Sequence, residues 1–545
     1  MATGAHTTAK QVVAALERYW ARALLIGVLL IVCAARLRLL DMPLERDEGE
    51  YAYAGRLILE GVPPYKLAYN MKFPGTYYAY ALIMLVFGQT PAGIRLGLTC
   101  ITTLTALLMY RFGRKLVDET AGVVAATTYA LLAASPATLG LAAHATHFAA
   151  LLSTAGLCVL WPAQQRLSIW RVAAGGFMFG LATLMKQHAA LFCLWGLWVV
   201  HAACRSEKVY GAARMRLFLA YGIGAVAPLL VCCVALWYAG VFEQFVFWTI
   251  TYASQYASIV SLSQVPGTLF GTLEKFAQRD ALLWAMVVVG AGFVLGDERF
   301  AGIRTKLLVF CAAAFLTTVP GFYFRRHYFI LALPAAGLLA GCGVSAARAF
   351  LARKQVKGGN AMPVWMYVGV TASAMFLNGD IWFRAAPEQA SRQIYFGNPF
   401  AESQVIAEYI RTNSAPDAKV AILGSEPQIF FLSGRRSATG YIYTYPLMEP
   451  HRYAERMQKQ MIREIESEAP EFVLFVAIPL SWLAWPGASR EIIDWWANSY
   501  RTNYALVGVV AVNPVKGTQY FWDRAAVEFG EHPRWGILIY RRKNS

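Results

Sequence analysis

The sequence predicts a polytopic α-helical membrane protein that carries a C-terminal α/β domain outside the membrane. Of its 545 residues, 57% are hydrophobic and only 15% are charged, and the mean hydropathy is +0.43. A soluble protein of ordinary composition has about 25% charged residues. The long apolar stretches also end near residue 380, after which short apolar runs alternate with amphipathic ones. Composition and patterning therefore exclude an ordinary soluble protein.

About eleven apolar segments are candidate transmembrane helices, because roughly 20 apolar residues span a bilayer. They lie near residues 21–40, 93–112, 121–140, 147–163, 172–186, 188–204, 217–240, 281–296, 306–320, 328–351 and 363–380. The apolar run 77–88 is shorter and fits either a helix on the membrane surface or part of a span. We therefore predict a transmembrane domain over 21–380, with its first extracytoplasmic loop at 41–92.

Basic residues concentrate in alternate loops, and this predicts the orientation. The basic loops lie at 111–115, 166–171, 205–216, 299–306 and 353–357. By the positive-inside rule these loops are cytoplasmic, as is the N-terminal segment 1–20. The loop 41–92, the turn at 141–147 and the segment 321–327 then face the opposite side. Because topology accounts for much of the net charge of +17, we expect membrane lipids and no nucleic acid as partners.

Residues 381–545 have the pattern of a separate α/β domain. The amphipathic segments "SQVIAEYIRTN" and "RYAERMQKQMIREIESEAP" alternate with the short apolar runs "KVAIL", "EFVLFV", "YALVGVVAV" and "GILIY". This alternation predicts a largely parallel sheet covered by helices. An odd number of spans places the domain on the outer side, with the loop 41–92.

The loop that follows the first span is unusually rich in charge and aromatic residues. It reads "LERDEGEYAYAGRLILEGVPPYKLAYNMKFPGTYY", and three of its carboxylates, those of Asp47, Glu48 and Glu50, lie within four residues of one another. Carboxylates beside hydrocarbon are costly unless they meet water, a cation or a polar substrate, which suggests a functional site. The alternative is a solvated loop whose acids stabilise a helix that begins near Glu50.

The order of motifs in this region resembles a known family. The stretches "RDEGEYAYAGRLILEG", "MKFPGTYYAYALIMLVFG" and "TPAGIRL" resemble the GT-C glycosyltransferases, in the family 39-like branch of protein O-mannosyltransferases and bacterial aminoarabinose (lipid A) transferases. The resemblance covers about the first 350 residues and is most specific at 44–97. It implies a polyprenyl-phosphate-sugar donor, a lipid, glycan or protein acceptor, and inverting transfer at the periplasmic face of the inner membrane.

The resemblance also implies roles for individual residues. By its place in the family's Asp-Glu motif, Asp47 is the expected general base, and Glu48 would orient it, bind a sugar hydroxyl or help to hold a metal. Lys72, in "MKFPG", matches a family lysine placed for the donor phosphate. Independently, Arg325 and Arg326 in "FYFRRHYFI" can grip phosphate oxygens, and Lys186 in "LMKQHAA" is a further candidate. The alternative for these cations is contact with lipid headgroups.

Two histidines in "AAHATHFAA", His144 and His147, are spaced i, i+3 and would share a face on a helix. Divalent metal ligation, hydrogen bonding to substrate and a polar turn all remain open for them. Met71 stands where the aminoarabinose transferases carry a glutamate associated with metal, so a divalent ion is an open cofactor and no cofactor is certain.

Two other functional classes compete with a glycosyltransferase. A multispan transporter or flippase would place ionisable residues at mid-membrane and show internal repeats, whereas the candidate charges here gather at one surface. A polymerase or ligase of lipid-linked saccharides would share the same lipid substrate. Whether Asp47 is the essential group distinguishes the expected glycosyltransferase from such a polymerase or ligase.

Overall fold

The structure is a computed structural model that describes residues 2–161, 168–513, 517–530, 533 and 535–543, with side chains from residue 19 onward. The basic loop predicted at 166–171 lies partly outside this range. The helices before residue 380 follow in chain order: α1 (Ala2–Arg38), α2 (Arg46–Leu59), α3 (Gly75–Phe87), α4 (Pro91–Leu116), α5 (Glu119–Ala134), α6 (Ala145–Leu160), α7 (Ile169–Met185), α8 (Ala190–Ser206), α9 (Gly211–Tyr238), α10 (Phe242–Val246), α11 (Ala253–Ala257), α12 (Val265–Gly296), α13 (Arg304–Leu316), α14 (Leu333–Arg353) and α15 (Met362–Gly379).

These helices confirm the predicted class of a multi-pass helical membrane protein. Each of the predicted apolar segments contains a helix. Among the residues that the structure describes, six helical stretches are long and apolar enough to cross a bilayer: Tyr19–Arg38, Pro91–Leu116, Gln187–Ser206, Gly211–Tyr238, Leu262–Gly296 and Arg326–Arg353. The number of spans, the orientation and the domain boundaries remain predictions.

The chain forms two compact units. The first comprises Met1–Arg38, Arg95–Val231 and Val260–Arg384, and the second comprises Leu39–Ile94, Cys232–Ile259 and Ala385–Ser545. The first loop therefore belongs to the same unit as the C-terminal sheet. This placement could not be anticipated from a boundary drawn at residue 381.

In the first unit, α14 packs closely against α5. A Cβ at Gly337 would lie 2.5 Å from the carbonyl oxygen of Ala125, and one at Gly341 would lie 2.4 Å from that of Ala121. Only glycine permits so close a backbone approach. The window of the stretch Arg326–Arg353 that fits a membrane span is 94% buried, so this helix lies at the centre of its unit.

The second unit contains a six-stranded sheet in the order β2-β1-β3-β6-β4-β5. The elements after residue 380 are α16 (Pro387–Ile394), α17 (Phe400–Thr412), β1 (Lys419–Leu423), α18 (Gln428–Ser433), β2 (Arg436–Ser437), α19 (Tyr445–Met448), α20 (Ala454–Glu468), β3 (Phe472–Ala477), α21 (Pro479–Trp482), α22 (Glu491–Asn498), β4 (Tyr504–Ala511), β5 (Gln519–Trp522), α23 (Arg524–Phe529) and β6 (Gly536–Arg542).

The α/β prediction is confirmed, but the expectation of a largely parallel sheet is wrong. Only β1 pairs in parallel, with β2 and with β3. The remaining pairs, β3 with β6, β6 with β4 and β4 with β5, are antiparallel. β6 returns between β3 and β4 and pairs antiparallel with both. β5 follows β4 after only a few residues of chain, which is too few for the crossover that parallel neighbours need.

Candidate functional site

The first turn of α2 carries the acidic residues of the first loop. Glu45 is the N-cap residue: its carboxylate accepts from the backbone N–H of Glu48 (2.9 Å), and the Glu48 carboxylate accepts from the N–H of Glu45 (3.3 Å). This reciprocal capping box begins the helix at Arg46 rather than near Glu50. Glu48 thus contributes to the helix cap, while Asp47 and Glu50, three residues apart, point to one side.

Asp47 and Glu50 converge on Lys72. The Lys72 Nζ atom lies 2.8 Å from Asp47 Oδ1 and 2.5 Å from Glu50 Oε2, and the three side chains are 13%, 22% and 1% exposed in the order Lys72, Asp47, Glu50. The Tyr77 hydroxyl donates to the other Glu50 oxygen, at 2.7 Å. In the structure, Asp47, the predicted base, therefore contacts Lys72, the predicted phosphate-binding lysine. Glu50 is a second carboxylate partner of the same lysine.

Burial and charge act in opposition on this cluster. Burial alone would lower the pKa of Lys72, but the Asp47 and Glu50 carboxylates outweigh it and raise that pKa. Burial raises the pKa of Glu50, although Lys72 opposes the shift. Lys72 is therefore held as a cation, while burial works against the charged form of Glu50.

Tyrosines from both parts of the second unit surround the lysine. The Tyr443 hydroxyl donates to Asp47 Oδ1 at 3.0 Å. The Lys72 ammonium lies 4.6 Å from the ring centroid of Tyr51 and 5.5 Å from that of Tyr443. Such distances allow cation–π attraction. Tyr443 could not be found by sequence reasoning, because it is 396 positions from Asp47.

Arg46 fixes the start of α2 to the C-terminal sheet. Its guanidinium forms a buried ion pair with Glu426 at 2.7 Å and donates to the carbonyl oxygen of Ser425, which follows β1. A Cβ at Gly49 would lie 2.5 Å from the backbone nitrogen of Gln428, so α2 and α18 touch through backbone atoms. Asp47 is therefore held on a rigid support.

The other predicted residues lie in the first unit, where the segment 186–188 meets the segment 327–328. The Lys186 ammonium is 4.6 Å from the Tyr328 ring centroid, and the rings of His188 and His327 meet that ring edge to face. Lys186 is buried, Arg325 is exposed and Arg326 is half-buried. Lys186 therefore lies beside the segment that carries the "FRRH" motif, and the phosphate role of these cations remains a prediction.

The two histidines of "HATH" do not share a helical face. His144 has extended backbone angles (φ −62°, ψ 148°) and precedes α6, whereas His147 lies within it. The His144 ring instead stacks on His327, with centroids 4.3 Å apart and planes at 13°. His144 and His327 are therefore the pair suited to a divalent ion in this unit, although two imidazoles alone do not complete a metal site.

Comparison with known proteins identifies which proteins share this fold. Residues 71–238 match the family model described as dolichyl-phosphate-mannose-protein mannosyltransferase. Among solved structures, ArnT from Cupriavidus metallidurans bound to undecaprenyl phosphate is 14% identical, with a TM-score of 0.58, over 96% of this chain and 98% of that chain. The fold is that of the GT-C glycosyltransferases.

Further GT-C structures agree. ArnT in the apo state is 15% identical, with a TM-score of 0.56, over 95% of this chain and 97% of that chain. The archaeal oligosaccharyltransferase AglB from Archaeoglobus fulgidus, in complex with an inhibitory peptide and a dolichol-phosphate, is 13% identical, with a TM-score of 0.51, over 93% of this chain and 75% of that chain. No curated protein sequence matches the chain significantly. The resemblance to GT-C glycosyltransferases is confirmed and supports a membrane glycosyltransferase.

Proposed function

We propose that this protein transfers a sugar from a polyprenyl-phosphate donor to a hydroxyl group of a lipid, glycan or protein acceptor. The observation that carries the proposal is the buried cluster of Asp47, Lys72 and Glu50, placed in the first loop of a GT-C fold. The structural neighbours ArnT and AglB are bound to undecaprenyl phosphate and dolichol-phosphate, which supports a lipid-phosphate donor. The proposed location is the periplasmic face of the inner membrane.

In the proposed reaction, the acceptor oxygen attacks the anomeric carbon from the side opposite the phosphate. A new glycosidic bond forms as the bond from that carbon to the phosphate oxygen breaks, and the bonding pair leaves with the phosphate. Asp47 takes the proton of the acceptor hydroxyl, the usual task of a positioned carboxylate. This direct displacement inverts the anomeric configuration.

The other residues take supporting roles in the proposal. Lys186, Arg325 and Arg326 bind the donor phosphate, whose negative charge grows as the bond breaks. The positive charge of Lys72 favours the ionised form of Asp47. For Lys72 to contact the donor phosphate as predicted, its ammonium must give up one of its two carboxylate partners and bind phosphate oxygens in its place. Glu48 supports Asp47 by capping α2. The candidates for substrate contact are His144, His147 and His327. No step of the reaction is assigned to a metal.

The test is the variant Asp47→Asn in purified membranes supplied with radiolabelled undecaprenyl-phosphate mannose or undecaprenyl-phosphate aminoarabinose. Asparagine keeps an oxygen that accepts from Lys72 and Tyr443, so the fold is preserved while the base is lost. Transfer is expected to fall by about 10²–10⁴-fold. Asp41→Asn is the matched control, because Asp41 is exposed in the same loop and should leave transfer unchanged. Full activity of a stably inserted Asp47→Asn protein would refute the assignment.

A further inference from the structure

Three tyrosines alternate along the segment 441–445, which connects β2 to α19. The Tyr441 hydroxyl donates to Gln460 at 3.0 Å, and the Tyr445 hydroxyl donates to the carbonyl oxygen of Leu480 at 2.9 Å. Both bonds stay within the C-terminal part of the chain. The hydroxyl of Tyr443 instead donates to Asp47 in the first loop, so the middle tyrosine serves a different purpose from its neighbours.

The backbone around Tyr443 is fixed on both sides. The Thr444 N–H donates to the Ser425 hydroxyl at 2.9 Å, at the end of β1. Before Tyr443, the carbonyl oxygen of Gly440 accepts from the N–H of Tyr69 at 2.7 Å, and Tyr69 belongs to the first loop. With the backbone held on both sides, the Tyr443 side chain is buried, and the residue is 6% exposed.

We propose that Tyr443 is a positioning residue for the Asp47 carboxylate, and that the C-terminal α/β segment thereby completes the catalytic site. The proposal rests on the function proposed above and deepens it. Both Tyr443 and Lys72 donate to the same oxygen, Asp47 Oδ1. Two donors on one oxygen fix the rotation of the carboxylate, which a general base needs in order to meet an acceptor hydroxyl in line.

The two donors differ in what they contribute. Lys72 is shared with Glu50, so its position depends on two carboxylates at once. The Tyr443 hydroxyl is a neutral donor, and burial raises its pKa well above the usual 10.0. It therefore keeps its proton throughout the working pH range and favours the ionised form of Asp47.

The test compares Tyr443→Phe with Tyr441→Phe. Both remove one hydroxyl and keep the ring, but only the first touches Asp47. A hydrogen bond to a charged group is worth roughly a 10–100-fold factor, so Tyr443→Phe should lower kcat by about that factor, leave the KM for the donor unchanged, and move the acidic limb of the pH–rate profile to higher pH. Tyr441→Phe should change none of these.

A second measurement does not depend on the donor. The carboxylate band of Asp47, identified in infrared difference spectra by its loss in Asp47→Asn, should titrate at higher pH in Tyr443→Phe than in the wild-type chain. Unchanged titration and an unchanged pH–rate profile would overturn the positioning role. Equal losses in Tyr443→Phe and Tyr441→Phe would also overturn it, because they indicate a general structural effect.

The two proposals fail in distinguishable ways. If Asp47→Asn is inactive and Tyr443→Phe behaves as wild type, the positioning role is wrong and the proposed function stands. If Asp47→Asn retains full transfer, the proposed base itself is wrong. Should Tyr443→Phe insert poorly, 3,5-difluorotyrosine at position 443 keeps the phenol and strengthens it as a donor, so the titration of the Asp47 band should move to lower pH.

Discussion

The ion pair between Arg46 and Glu426 allows a quantitative prediction about what holds the first loop in place. Its atoms are 2.7 Å apart, and the side chains are 11% and 0% exposed. Removal of one partner from a buried pair leaves the other charge uncompensated and costs about 3–5 kcal/mol. Arg46→Met is therefore expected to destabilise the second unit by roughly that amount.

The same unit offers a matched control at its surface. Arg436, in β2, pairs with Glu60, the residue that follows α2, at 2.9 Å, but these side chains are 48% and 34% exposed. An exposed pair contributes only about 0–1 kcal/mol. Arg436→Met thus removes an ion pair of nearly equal length between the same parts of the chain, and it should have little effect.

The assay is the midpoint of thermal unfolding of the detergent-purified protein, followed by intrinsic fluorescence. At roughly 2–4 °C per kcal/mol, Arg46→Met should lower the midpoint by on the order of 10 °C and Arg436→Met by less than about 4 °C. The double variant Arg46→Met with Glu426→Gln should recover part of the loss. Equal shifts for the two arginine variants, or no recovery in the double variant, would refute the argument that burial decides the energy.

Two further predictions concern the same helix. Burial raises the pKa of Glu50 above the usual 4.5 despite Lys72. Between 4.5 and that raised pKa the folded chain holds a proton that the unfolded chain has lost, so stability falls as the pH rises through this interval. Glu50→Gln should remove the part of this pH dependence of stability that Glu50 contributes. The measurement is the unfolding midpoint at a series of pH values between about 4 and 8. Gly49→Ala would place its Cβ 2.5 Å from the Gln428 backbone and should cost about 1–3 kcal/mol, measured as a lower midpoint.

The controls for these predictions lie elsewhere in the chain. A Cβ at Gly27, in α1, meets no atom within 4 Å, so Gly27→Ala should not lower the midpoint. A midpoint in Gly49→Ala equal to that of the wild type would contradict the backbone contact between α2 and α18. A difference between Glu50→Gln and wild type that stays constant with pH would contradict the assigned direction of the Glu50 shift.

The sequence was sufficient to predict the class of fold, and the catalytic role of the acidic residues in the first loop remains a prediction. Long apolar segments and a polar, aromatic loop after the first span are local patterns, and such patterns can be recognised from the sequence alone. The role of Glu50 was not predictable, because α2 begins earlier than expected. A glutamate serves as its N-cap, whereas the usual capping signature has serine or threonine there.

The contacts between residues far apart in the chain could not be predicted from the sequence. Lys72 and Asp47 were both predicted, but as separate ends of a site, because the family resemblance implies a phosphate contact for one and an acceptor hydroxyl for the other. The pairing of His144 with His327 was missed since helical spacing favoured His147, and the spacing rule fails where His144 precedes its helix. No periodicity in the sequence encodes such pairings.

The long separation between Arg46 and Glu426 also affects how the protein is made. The two residues are 380 positions apart, and a ribosome adds about 5–20 residues per second. Roughly 20–80 s therefore pass between the synthesis of the first loop and that of its ionic partner. During this interval Arg46 cannot pair with Glu426, so the contact between α2 and the end of β1 forms only after residue 426 has been made, as a slow contact of high sequence separation.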